Sequence, residues 1–329
     1  MRKEFVGLTL STMLFALCVP AEAQQLAKVH RIGYLTGASL SAMAARTESF
    51  RQGLRQLGYI EGKNIVIEWR SWEGKQDRQR PFAAELVRLK VDVIVAVGSG
   101  DIRAAKEATA AIPIVMVQGG DPVGSGFVAS LARPGGNITG LAILRPELSG
   151  KRLELLKEIV PKVSRVAVFV SSRSADYALV LKEIEIAARP LGVKLQSLDI
   201  LTPKDFETAF RDAAKGRADA ALFRVPGPIL ASLRRTEVAA LAVKSRIPVI
   251  YESAQEVDAG GLMSYGVNAN DLDRRSATYV DKILKGAKPA ELPVEQPIKF
   301  EFIINLKAAK QIGLTIPPNV LARADKVIR

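Results

Sequence analysis

Cysteine and histidine are almost missing from this 329-residue chain, which holds one of each, Cys18 and His30. Cys18 lies in an apolar leader, so the sequence beyond it offers no disulfide, no thiol nucleophile and no thiolate zinc site. A single imidazole argues against a Ser-His-Asp triad and a multi-histidine metal centre. His30 also opens the first predicted strand, the end opposite to where α/β sheets gather their ligands. Phosphate-binding signatures are missing too. Gly98-Ser99-Gly100 lacks the Lys-Ser/Thr ending of a P-loop and the third spaced glycine of a dinucleotide fingerprint. Long hydrophobic runs are lacking as well: the leader's run, Phe5 to Val19, falls short of the ~20 residues of a membrane-spanning helix. Converging carboxylates remain the one enzymatic option open, and no cofactor or metal is expected.

Arg2 and Lys3, the apolar run and Pro20-Ala21-Glu22-Ala23 have the layout of a secretory signal peptide, residues 1–23, cleaved before Gln24. Cys18 raises a lipoprotein alternative. Leu17, however, stands where lipoprotein signals carry a small residue, so soluble export to the periplasm is the expectation. The net charge is +13. Basic residues scatter along predicted helix faces (Arg78, Arg80, Arg88; Arg234, Arg235; Arg274, Arg275) and do not gather with aromatics, so no nucleic-acid partner is expected. They read as a solvated basic surface, with a lean toward anionic solutes as the alternative.

The rest of the chain exceeds one ordinary core, and an apolar fraction of 48% is ample for two. From Val29 onward, short apolar strands alternate with amphipathic helices. Strands are predicted from His30 to Leu35, Asn64 to Arg70, Asp92 to Val97, Pro113 to Val117 and Ile138 to Ile143. The helices between them carry Phe50, Leu54 and Leu57, then Phe82, Leu86 and Leu89, then Asp101 to Ala110, then Val123, Phe127 and Leu131. All-apolar runs such as Val93-Ile94-Val95-Ala96-Val97 suit a parallel sheet buried on both faces. The pattern then recurs with strands near residues 165–170, 193–199, 219–223, 248–251 and 262–265. Local likenesses keep the same order: Ala111-Ile112-Pro113-Ile114-Val115 answers Arg246-Ile247-Pro248-Val249-Ile250. The fold class is therefore α/β, with two doubly wound parallel-sheet lobes. A helix from Leu272 to Leu284, a Pro-rich stretch and a strand from Ile298 to Ile304 are left over, which predicts extra crossings and a three-strand hinge. The lobes are expected to be residues 29–143 plus about 267–296, and 144–266 plus about 297–329. A tandem of two independent domains is the competing organisation.

In such sheets ligands lie beyond the carboxyl ends of the strands, near the switch in strand order. In the first lobe those positions hold Gly37 and Ser39, then Gly98 and Ser99, then Gln118, Gly119 and Asp121. Glycine lets the backbone approach a solute, and hydroxyls and helix-terminal N–H groups hold carboxylates. Ser99 is the leading anion contact, with Ser99 or Asp101 as a simple N-cap the competing reading, and Asp121 reads first as a cap. In the second lobe the positions are Ser171 and Arg173, Arg224 with the loop through Pro226, Gly227 and Pro228, then Tyr251, Glu252 and Tyr265. Arg173 or Arg224 is a partner for an acidic group, Glu252 for an ammonium, and Tyr251 for an apolar or aromatic part of the solute.

Asp121-Pro122-Val123-Gly124-Ser125-Gly126 and Ser130 to Leu141, SLARPGGNITGL, resemble the ABC transporter substrate-binding family that includes tryptophan/tyrosine-binding lipoproteins. Ile283 to Pro289, Leu292 to Pro297 and Ala309 to Leu314 are similar to its C-terminal signature. The chain departs from that pattern at Gly98-Ser99-Gly100, where Gly-Thr-Pro is common, at Ser171, where Asn is common, and near Gly227-Pro228. The resemblance implies a periplasmic binding protein type I fold and no enzyme activity. It also implies a small solute, an amino acid or small carboxylate, enclosed by hinge closure and passed by a monomer to an inner-membrane ABC permease. Ser99, Gly119 to Asp121 and Tyr251-Glu252 would then face the solute. An exported sensory protein feeding a membrane receptor, or an exported α/β hydrolase, are the alternatives.

Overall fold

The computed structural model describes residues 29–143, 145–174, 177–225 and 232–329, without the side chains of 145–147 and 232–234. The leader, Cys18 and the Pro226–Pro228 loop lie outside the described residues. The chain begins with β1 (His30–Thr36), α1 (Ala44–Gln56), β2 (Ile65–Ser71), α2 (Gln76–Arg88), β3 (Val93–Val97), α3 (Ser99–Ala108), β4 (Ile114–Gly119) and β5 (Ile138–Ala142). These five strands form a parallel sheet in the order β2-β1-β3-β4-β5. Alternation along β3 assigns its two faces. Val93 and Val95 pack with Ile32, Tyr34, Phe50 and Leu54, while Ile94 and Ala96 pack with Leu86 and Ile102. A strand with helices on both sides has no polar face, which is why its sequence reads as a continuous apolar run.

One predicted helix is not formed. Residues 121–136 run as turns, although Phe127 and Val128 are buried in the first core. The Asp121 carboxylate accepts from the Val123 and Gly124 N–H groups, and Gly126 is left-handed at φ 68°. The apolar spacing here anchors a loop to the core, and the glycines and the aspartate turn prevail over it.

The second set comprises α4 (Arg145–Ile159), β6 (Arg165–Val170), α5 (Tyr177–Ala188), β7 (Lys194–Asp199), α6 (Asp205–Lys215), β8 (Ala220–Arg224), α7 (Ser232–Ser245), β9 (Val249–Tyr251), α8 (Ala254–Asp258) and β10 (Met263–Val267). Then α9 (Ala269–Leu284) returns to the first sheet, where Leu272, Val280 and Ile283 join the core of β1 and β3. A short 3-10 turn at Pro289–Glu291 follows, and Glu295 bridges to Leu141 beside β5. The chain ends with β11 (Phe300–Asn305), α10 (Leu306–Gln311), α11 (Pro318–Leu321) and β12 (Lys326–Ile328). The second sheet has the order β12-β11-β10-β9-β8-β6-β7. Its β7-β6-β8-β9-β10 portion repeats the first sheet strand for strand. The leftover tail adds β11, antiparallel to β10 and the one reversed pairing among the described strands. An aromatic cluster of Phe169, Phe206, Phe210, Phe223 and Tyr251 fills one side, with ring centroids 4.7 to 6.0 Å apart.

The chain passes between the sheets from β5 to α4, from β10 to α9, and from the 3-10 turn to β11. The first two passages leave the carboxyl ends of their strands. The third enters β11 at Phe300, opposite Val267 at the carboxyl end of β10. The last two passages touch, the Asn268 N–H donating to the Lys299 carbonyl at 3.2 Å. The carboxyl edges of the two sheets are therefore the joined edges. Two of the arginines read as scattered surface charge are paired and largely covered: Arg235 bonds Glu256 at 3.0 Å, and Arg275 meets Asp271 and Glu295.

Candidate functional site

The first sheet reverses its strand order between β1 and β3, and the loops after those strands form one wall. Gly37 follows β1 directly. A side chain there would strike the Trp72 ring at 2.5 Å, so glycine is required by this close approach. Trp72 is buried, and its indole N–H donates to Asp101 Oδ1 at 2.6 Å. Gln79 Nε2 donates to the same oxygen at 2.8 Å. Asp101 is neither an N-cap nor a surface residue. It is 2% exposed, and burial pushes its carboxyl up to about 6, against the lowering effect of Gln79, Trp72 and the Gly37 backbone N–H. It ties the loops after β1 and β2 to the start of α2 and α3.

Gly98, left-handed at φ 89°, is the N-cap of α3, and Ser99 is its first residue. The Ser99 hydroxyl accepts the Gly120 N–H at 3.1 Å and so joins the loops after β3 and β4. It stays exposed at the edge, while Gly119 is buried. Gln118 takes a left-handed conformation, φ 58°, at the irregularity between Val117 and Gly119 in the β4–β5 register. A non-glycine residue held there costs on the order of 1–3 kcal/mol, and such residues concentrate at working sites. Asp121 is exposed and caps its own turn, and Ser39 closes a local turn through Ala42 N–H and Ser41.

On the second sheet the switch lies between β6 and β8, and charge is concentrated beside it. Arg224, the last residue of β8, is 3% exposed and donates from Nη1 to Glu252 Oε2 at 3.0 Å. Glu252, just past β9, accepts at Oε1 from Arg152 Nη1 at 3.2 Å. Arg152 comes from α4, is 2% exposed, and also donates from Nε to the Tyr265 carbonyl at 2.7 Å. Arg224 and Glu252 were expected to meet opposite ends of a solute, and in this structure they meet each other. Ser171, after β6, is 1% exposed, and its hydroxyl has no hydrogen-bond partner among the described residues. Arg173 is exposed. Tyr265 is partly buried and stacks on Phe300, with centroids 6.2 Å apart. Tyr251 does not reach the edge where a solute contact is expected: it is 1% exposed and its ring packs on Phe223 inside the core.

Arg152 was missed because nothing in its helix marks it. Lys151-Arg152 reads as surface charge until the fold buries one of the pair. Its one signal is a position on the same helix stripe as Leu153, Leu156 and Ile159. His30 opens β1 beside Asp92, at the end of the sheet away from these loops. Among the described residues no group of three or more His, Cys, Asp and Glu is placed to hold a metal, and no helix is long and apolar enough to cross a membrane. The edges thus combine hydroxyls, glycine backbone and N–H groups on one side with guanidinium and carboxylate groups on the other. That is a donor-rich set able to hold a small polar solute without breaking a bond.

The profile of a family described as ABC transporter substrate binding protein matches residues 32–328. A tyrosine-binding protein of Clostridioides difficile is 26% identical over 268 residues, which is 81% of this chain and 76% of that protein. A crystal structure of an ABC domain in complex with L-Trp, from a pneumococcal Streptococcus, superposes with a TM-score of 0.81 at 27% identity, over 91% of this chain and 99% of that one. The ligand-free, open structure of a Clostridium difficile substrate binding protein with adhesive properties gives 0.69 at 25% identity, over 92% and 99%.

Proposed function

The chain belongs to the ABC transporter substrate binding protein family, whose members bind solutes and are not enzymes, and from that premise we propose that it is the extracytoplasmic capture component of an ABC importer. It takes an amino acid or small carboxylate into the crevice between its two sheets, closes about the passages between them, and presents the solute to a membrane permease. The lobes that close are residues 29–143 with 267–296, and 144–266 with 297–329. The leader's layout supports delivery to the periplasm.

The observation that carries this reading is the joining of the two carboxyl edges by all the passages between the sheets. It supports a single crevice shared by both switch points, the position at which doubly wound sheets hold ligands. Hinge closure around ligands is the established motion for two lobes so joined. The solute contacts of this reading are Gly37, Ser99, Gln118 and Gly119 on one wall, and Ser171, Arg224, Glu252 and Tyr265 on the other. A thermal-shift panel of L-tryptophan, L-tyrosine, other amino acids and small carboxylates tests it. A solute at a hundred times its Kd adds about 2.7 kcal/mol of stability, and Ser99→Ala and Glu252→Ala lower the shift. A panel in which no compound raises the midpoint refutes the reading.

A further inference from the structure

Arg152 stands at a junction that solute contact alone does not explain. It lies on α4, the first element after the chain leaves the first sheet. Its Nε holds the backbone carbonyl of Tyr265 in β10, two residues before that strand ends and the chain crosses back. Its Nη1 holds Glu252 in the loop after β9. At Gly266 a side chain would run onto the Glu252 carbonyl and come within 3.8 Å of Arg152 Nη2, so strand, loop and guanidinium are packed without space between them. One planar, always-charged group therefore fastens the crevice loop to the second-sheet ends of two passages. A guanidinium bonds through a fixed fork and transmits displacement of one partner to the others.

We propose that Arg152 is a positioning residue that couples Glu252 to the passages between the sheets and so sets how far the two lobes close. The proposal rests on the crevice reading above. Movement of Glu252 toward a solute draws Arg152 with it, and Arg152 draws α4 and β10, the elements at which the lobes pivot.

The test is the interlobe distance in the full chain, with Cys18 replaced by serine and spin labels at Gln52→Cys on α1 and Glu207→Cys on α6, both exposed positions. Without any solute, Arg152→Gln widens the distance distribution and shifts it outward, and Arg152→Lys, which keeps the charge and loses the fork, does so less. Arg235→Gln removes another covered arginine of the same lobe, bonded to Glu256 away from the passages. It lowers the melting temperature and leaves the distribution as it was. With L-tryptophan or L-tyrosine the wild type narrows and shortens, while Arg152→Gln binds roughly tenfold more weakly and stays wide at saturation. Wild-type distributions in Arg152→Gln and Arg152→Lys, or equal widening by Arg235→Gln, overturn the proposal. Should Arg152→Gln not fold, Arg152→Lys carries the comparison. If neither amino acid moves the wild type, the solute reading loses its support, while the solute-free arm still decides the role of Arg152.

Discussion

Replacing Asp101 by asparagine isolates what a buried carboxylate contributes to the loops at the carboxyl edge of the first sheet. Its carboxyl is raised from 3.8 to about 6, with burial as the main cause. A raised folded-state pKa means that the folded protein binds the proton more tightly than the unfolded chain. Its contribution is therefore fully present below the unfolded value and lost as pH rises through 6. With one pKa unit equal to about 1.36 kcal/mol, the folded state gains about 1.4 kcal/mol from this group between pH 8 and 5, and a little over 2 by pH 4. Asparagine keeps the Oδ1 that accepts from Trp72 and Gln79. Its amide turns a donor toward the Gly37 N–H, a fixed penalty independent of pH. The assay is thermal unfolding of both proteins from pH 8 to 4. Surface carboxylates such as Glu85 and Asp219, held below their ordinary values by their partners, lose their contribution only at the acid end of this range and below it, and equally in both proteins. The difference between the curves then belongs to Asp101. The wild type should gain on Asp101→Asn by about 2–4 °C between pH 8 and 5. Parallel curves would refute the claim that Asp101 is held charged against its surroundings at neutral pH.

Gly37→Ala forces the Trp72 ring aside and breaks its bond to Asp101, at a cost of about 1–3 kcal/mol. A red-shifted tryptophan emission with a lower melting temperature is the expected result, and an unchanged spectrum would contradict the close packing. Ser171→Ala separates stability from binding. Removing a buried hydroxyl that has no partner among the described residues leaves the solute-free protein as stable or slightly more so, while solute affinity falls. Calorimetry showing full affinity would take Ser171 out of the crevice.

Residue types made the fold readable. Runs such as Val93 to Val97 have no polar face, and the predicted strands fall within one or two residues of those formed. The repeated order of short strands and helices became the same strand sequence in both sheets. Two features were hidden for physical reasons. The stretch Val123, Phe127 and Leu131 has helical spacing, but spacing records only which side chains seek the core, and Asp121 with Gly124 and Gly126 sets the backbone. The direction of β11 depends on which sheet the tail meets, and its own alternation is equally compatible with parallel pairing. For the site, position was legible and pairing was not. Strand-end loops named Arg224 and Glu252, but the bond between them depends on the loops being neighbours in space. Arg152 lies within a helix, outside the loops from which the candidates were drawn. Tyr251 shows the opposite failure. It ends a strand, yet alternation along β9 turns it toward Phe223 and away from the edge.

The two lobes repeat a topology without repeating its chemistry. In both sheets one strand, β4 or β9, separates the switch point from the strand that leads into a passage, and the end of β4 with the loop after it holds only Gly119, Gly120 and their neighbours. In the second sheet Glu252 follows β9, next to β10 and the arginine of α4, the very elements that lead into the passages. Buried ion pairs contribute little to stability once desolvation is counted, so covering two arginines and a glutamate there has to be explained by something else. Near a pivot, a small displacement becomes a large one at the rim, and packed elements move as discrete units, without bending. Under the proposed hinge closure, charges that a solute pulls are most effective beside the pivot, and a wall of glycine backbone and hydroxyls suffices on the opposite lobe.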